Sequence, residues 1–153
     1  MLRKIAALLL CGPLWFLGMN LFFIYSGAQN LLADPEIQSK KFIDAFIAIE
    51  PLPRMAGDSW LVLKGLFVTG LMLAAVMIFL NSKINGNWLM KGLKFGLIAW
   101  ALVIPWFEFY LPYNVMNEPF LLVLFEGLLW AGVMLFVCIG ISFILNFRRH
   151  GER

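Results

Sequence analysis

An all-α membrane protein, a bundle of four transmembrane helices, is the fold class this sequence predicts, and three observations carry it. Of the 153 residues, 62% are hydrophobic and only 14% charged, with a mean hydropathy of +0.87. A soluble domain needs roughly a quarter of its residues charged to dress its surface, so lipid must cover part of this chain. The apolar residues gather in four blocks, about 5–25, 60–80, 92–110 and 119–147, each close to the ~20 residues that cross ~30 Å of hydrocarbon as helix. The third observation is charge asymmetry. Flanks on one side carry Arg3, Lys4, Lys83, Lys91, Lys94, Arg148, Arg149 and Arg153 against Glu152 alone. Flanks on the other carry Asp34, Glu36, Asp44, Glu50, Asp58, Glu108 and Glu118 against Lys40, Lys41 and Arg54. Lys and Arg are retained on the cytoplasmic side, so the sequence predicts four spans with both termini inside, as in a bacterial inner membrane protein. No repeat or low-complexity linker divides 1–153, which reads as a single integral membrane domain.

The first block opens with Arg3 and Lys4 and is too long for the ~7–15-residue apolar region of a signal peptide. Bulky Leu10 before Cys11 also argues against lipoprotein processing. It is expected to stay as the first span, bent near Gly12-Pro13. The connection 26–59 is the one long loop, on the outer side. Within it DPEIQSKKFIDAFIAIEP reads as a short amphipathic helix: Asp34 caps it, Pro35 suits its first turn, and Pro51 stops it. Phe42, Ile43, Phe46, Ile47 and Ile49 gather toward one side, so the helix is expected along the outer interface, as a surface connector or as a lid over the bundle mouth.

Asp58 or Ser59 is placed to cap the second span, with Trp60 at the interface. The short turn NSKINGNW predicts that spans two and three pack as an antiparallel hairpin. Pro105 interrupts the third span near its outer end and frees the carbonyl of Ala101. LPYNVMNEP turns the chain into the fourth span, and FRRHGER anchors its end. Small-residue pairs, Gly70 with Ala74 and Gly92 with Gly96, permit close approach of helix backbones.

Polar groups in the apolar blocks are the functional leads. The run LLVLFEGLLWAGVMLF places Glu126 where no water is expected, and an ionisable group at a span's centre costs about 2.5–3.5 kcal/mol on insertion scales. Counted at ~1.5 Å per residue, Glu126 lies about 10 Å below the outer boundary, Lys64 roughly 6–9 Å and Asn20 about 8 Å. Glu108 lies near the same end of the third span. Polar positions on all four spans thus share one level, which predicts an outward-facing cluster of Glu126, Lys64, Asn20 and Glu108. Trp130 is one turn from Glu126 on the same helix face, and Trp100 also lies well inside its span. Such rings either line a pocket for an apolar or cationic ligand or simply fill space. The Glu126–Lys64 pair likewise reads in two ways, as a lock on helix register or as a ligand, ion or proton site.

Several chemistries are disfavoured. The sole histidine, His150, lies in the basic tail, which removes two-histidine haem ligation and most zinc or copper sites. Cys11 and Cys138 stand apart and form no C-x-x-C, the motif expected of four-span disulfide oxidoreductases. No G-x-S-x-G, Walker A or dinucleotide fingerprint is present. Small multidrug transporters also have four spans and a membrane carboxylate, but theirs lies on the first helix and they lack a long outer loop. No cofactor or metal is expected, and the net charge of +3 suits an inner leaflet rather than nucleic acid. The leading expectation is a non-catalytic accessory or interaction subunit, in contact with the bilayer and with a membrane-protein partner or a second copy. The alternative is a proton- or cation-coupled transporter or small-ligand binder using Glu126 with Lys64. A third reading, a lipid-modifying enzyme with Glu126 or Glu108 as general base, finds no nucleophile or metal to support it.

Overall fold

A computed structural model of the protein describes residues 1–46 and 59–146. Helix α1 (Leu2–Met19) runs into a π-helical segment, Asn20–Ile24. Short helices α2 (Ala28–Leu32) and α3 (Lys40–Phe46) follow, then α4 (Ser59–Leu80) and α5 (Trp88–Glu108). A second π-helical segment, Phe109–Val115, leads to α6 (Phe120–Asn146). The described residues contain no strand. Among the described residues, four helical stretches are long and apolar enough to cross a membrane: Leu2–Ile24, Leu63–Leu80, Trp88–Val115 and Phe120–Asn146.

Local chemistry explains where the boundaries differ from expectation. α5 starts about a turn before residue 92 because the Asn87 carboxamide accepts the Met90 amide at 2.9 Å and so caps the helix. Lys91 and Lys94 are thereby carried inside α5, yet their amines reach back to the carbonyls of Asn81 (2.7 Å) and Asn85 (3.0 Å). Long stems let both charges find polar partners at the helix end. In the connection, Asp34 does not start a long helix. Its carboxylate accepts the Glu36 amide at 2.9 Å in a tight turn, and Ser39 caps α3 by accepting the Phe42 amide at 3.1 Å. The expected continuation of this helix to Pro51, the cap at Asp58 and the basic anchor at 147–153 lie outside the described residues.

The helices pack in the order α4–α1–α6–α5, with a lighter contact between α4 and α6. α6 touches all three other long helices, and its apolar residues run around its whole circumference, as suits a span that faces neighbours on one side and lipid on the other. Ala7, Cys11 and Trp15 of α1 and Val133, Val137, Cys138 and Ile141 of α6 form the core. α4 and α5 scarcely touch, although a seven-residue turn joins them. The expected hairpin is therefore open, because each of the two helices has a better seat elsewhere. An alanine-like Cβ on Gly70 of α4 would lie 2.9 Å from the Cys11 carbonyl oxygen of α1. One on Gly92 of α5 would lie 2.6 Å from Cα of Ile139 on α6. Backbones this close exclude any larger residue.

One end of the bundle is closed by polar clamps. Ser142 Oγ, fully buried, donates to the Trp88 carbonyl at 2.6 Å. Asn146 Nδ2 donates to Asn81 Oδ1 at 3.0 Å, and Asn81 Nδ2 donates in return to Asn146 Oδ1 at 3.3 Å. These bonds join the end of α4, the start of α5 and the end of α6 beside Arg3 and Lys4, and we call this the basic end. Ser142→Ala is expected to cost roughly 0.5–2 kcal/mol, read as a lowered midpoint of reversible unfolding in mixed micelles. No change would mean the bond is made equally well by water or lipid.

Candidate functional site

At the opposite end, three carboxylates gather. Glu108 closes α5 and is 1% exposed, Glu118 precedes α6 and is 2% exposed, and Glu126 lies on α6, partly accessible. Backbone geometry puts them there. The π-helical segment after Glu108 is sealed by the Met116 amide donating to the Leu111 carbonyl at 3.0 Å. Asn117 then adopts φ +57°, a left-handed conformation that asparagine tolerates better than most residues. The Glu118 amide donates to the Pro112 carbonyl at 2.9 Å, fixing the turn with Glu118 directed inward.

The long connection covers this end. Ala28, Leu32 and Gln38 are buried, and the Ser39 hydroxyl donates to the Met116 carbonyl, tying the connection to the turn that carries Glu118. Gln38 spends its amide nitrogen on the Leu32 carbonyl at 3.1 Å and its oxygen on the Ser39 amide at 2.8 Å. It offsets only part of the cost of burying Glu118, whose carboxyl is held above the usual carboxylate range by loss of water.

The electrostatics are unusual. The charges of Glu118 and Glu126 both act on Glu108, and that of Glu118 acts on Glu126. Among the described residues, both side-chain oxygens of Glu108 and of Glu118 are buried without a hydrogen-bond partner, and so is the indole nitrogen of Trp130. The Trp130 N–H neighbours both Glu108 and Glu126, outside bonding distance of either, while its ring packs against Phe23 with centroids 5.1 Å apart. Buried polar groups are nearly always satisfied, so these four oxygens and one donor are the polar atoms of this end whose partners are not supplied by the described residues. No group of three His, Cys, Asp or Glu side chains is spaced to hold a metal ion among the described residues.

The sequence-predicted residues divide into two sets. Glu108, Glu126 and Trp130 are brought together. Lys64 does not join them: it is exposed, in a groove of about 430 Å³ with Gly12, Pro13, Phe16 and Trp60, between α1 and α4. It makes no ion pair with Glu126 among the described residues. Counting residues gives depth along a helix but not the direction a side chain faces, and α4 turns Lys64 outward. Asn20 turns its amide onto the Phe16 carbonyl of its own helix at 2.8 Å. Trp100 donates to the Gly127 carbonyl at 2.8 Å, a brace between α5 and α6 beside Glu126. Cys11 and Cys138 are free and buried.

Sequence reasoning missed Glu118 and Gln38. Glu118 reads as an ordinary loop acid, and its signal was its place: one residue before Pro119, at the mouth of the span that carries Glu126. Gln38 carried no signal, since only the fold of the connection buries it. Comparison with protein families, with curated proteins and with solved structures finds no match to this chain.

Proposed function

We propose that this chain is a small multi-pass protein of a bacterial inner membrane, both termini cytoplasmic, that binds protons at the Glu108–Glu118–Glu126 cluster near the outer face. The observation that carries the reading is the set of buried carboxylate oxygens with neither counter-charge nor donor among the described residues. Uncompensated charges in a water-poor site cost several kcal/mol or more, and Lys64 is too far round the bundle to balance them. Protons require no cavity and no further atoms. A protonated carboxyl donates one hydrogen bond to a neighbouring carboxylate, and a small rotation brings the Trp130 N–H onto an ionised one. Glu126, the most accessible of the three, is the residue through which protons enter and leave.

The test is infrared difference spectroscopy of the purified full chain across a pH step. A carboxylic-acid C=O band is expected to persist above the pH at which the six Asp and Glu side chains outside the cluster ionise, and to lose one carboxyl's contribution in Glu126→Gln. Thermal unfolding serves as the check that the variant is folded. A wild-type band of full size in folded Glu126→Gln sinks the reading.

A second reading, an accessory or interaction subunit, is favoured by the packing order. With α4 and α5 apart, one side of the bundle stays open for a span of another protein or of a second copy. The two readings are compatible. A chain acting only as an accessory needs no titrating carboxyl, so the same measurement separates them.

A further inference from the structure

The basic end holds a feature that the carboxylate cluster does not explain. A cavity of about 920 Å³ opens there between α1, α4 and α6, lined by Arg3, Lys4, Ala6, Ile78, Asn81 and Phe143 among others. Its chemistry is two-sided. Ala6, Ile78 and Phe143 make an apolar wall, while Arg3 and Lys4 are exposed cations with no ion pair among the described residues. Asn81 adds little polarity of its own, because its side chain is engaged by Asn146. Its carbonyl accepts a bond from the Lys91 ammonium at 2.7 Å, so the cationic part of the lining is Arg3 and Lys4. Among the described residues, no acidic side chain lines the cavity.

An apolar wall in the hydrocarbon and a cationic rim at its edge match one kind of molecule. We propose that this cavity is a binding site for an anionic phospholipid, its phosphate between Arg3 and Lys4 and the start of an acyl chain against Ile78 and Phe143. Free phosphate would satisfy the rim but leave the apolar wall bare. A zwitterionic lipid would fill the wall, but its own cation would oppose the rim. Basic pockets between spans bind anionic headgroups for this reason, each Lys or Arg near the surface adding a comparable increment of attraction.

The experiment is a lipid titration of the delipidated full chain in detergent, read by native mass spectrometry, with phosphatidylglycerol and phosphatidylcholine of identical acyl chains. Phosphatidylglycerol is expected to bind at least about tenfold more tightly. Arg3→Gln combined with Lys4→Gln is expected to weaken phosphatidylglycerol roughly 30-fold and to leave phosphatidylcholine unchanged. Ala6→Phe, which fills the wall and keeps both charges, is expected to weaken both lipids. Equal binding of the two lipids by the wild type overturns the proposal. So does undiminished phosphatidylglycerol binding in the double variant, or its full displacement by excess inorganic phosphate. Because the site is remote from Glu126, loss of the titrating carboxyl band would leave this result untouched, and the reverse also holds.

Discussion

Gly92→Leu is expected to prise α5 away from α6 and to destabilise the bundle severely. A Cβ at Gly92 would lie 2.6 Å from Cα of Ile139, 3.0 Å from its amide nitrogen and 3.1 Å from the Cys138 carbonyl oxygen. All three are backbone atoms of a central helix, so none can rotate out of the way. At Gly96, one turn along, a Cβ would lie 3.2 Å from Cα of Leu135. The same seam then carries the Ser142–Trp88 bond and the Trp100–Gly127 bond, both of which depend on the helix separation. Overpacking of this sort costs about 1–3 kcal/mol for a small intrusion and more for a large one. Gly92→Ala should therefore lose about 1–3 kcal/mol and Gly92→Leu visibly more. Gly65→Ala is the control. Nothing lies within 4 Å of a Cβ there, so its effect should stay within about 0.5 kcal/mol. Reversible unfolding of the full chain in mixed micelles measures all three. A Gly92→Leu chain as stable as the wild type would mean that the α5–α6 seam is not formed.

The second large effect concerns pH. Burial holds the Glu118 carboxyl above its ordinary value of 4.5, with Gln38 offsetting part of the rise. A carboxyl raised on folding binds its proton more tightly in the folded chain. Its stabilising contribution is complete below the ordinary value and is lost as pH climbs through the raised one. The unfolding midpoint should therefore fall as pH rises from 4.5 toward neutrality and beyond. Glu118→Gln removes this titration while keeping shape and hydrogen-bonding capacity. Its curve should be flatter than that of the wild type, with the variant the more stable of the two above neutral pH. The groups facing Glu118 are Gln38 from the connection, Glu108 from α5 and Glu126 from α6. All remain in the variant, and because the Glu118 charge acts on Glu108 and Glu126, the difference between the two curves reports Glu118 together with its effect on those two. Parallel curves would show that Glu118 is solvated and that the connection does not cover it.

How much of the molecule is legible before folding follows from what each kind of pattern encodes. Composition and block length measure transfer into lipid, which depends on local sequence alone, so the four spans could be read directly. Gly70 and Gly92 could be read as contact points because a missing side chain is itself a local fact. Glu108, Glu126 and Trp130 could be grouped because residue count sets depth on a helix. Lys64 defeated the same count: depth is one coordinate, and the direction a side chain faces depends on which helix packs where. The open hairpin has the same cause, since a short turn fixes which ends are joined but not which faces meet.

The sequence by itself determined that the chain is helical, apolar enough to lie in a membrane, basic at one set of helix ends and acidic at the other. Only the tertiary structure decided that α6 is central and that α4 and α5 part. It alone folded Gln38 and Ser39 onto the turn before α6, turning Glu118 from a loop acid into a second buried carboxylate beside Glu108. The reason is that hydrophobic transfer is a sum over residues taken one at a time, whereas an unpaired charge is defined by the absence of every neighbour that could have paired with it.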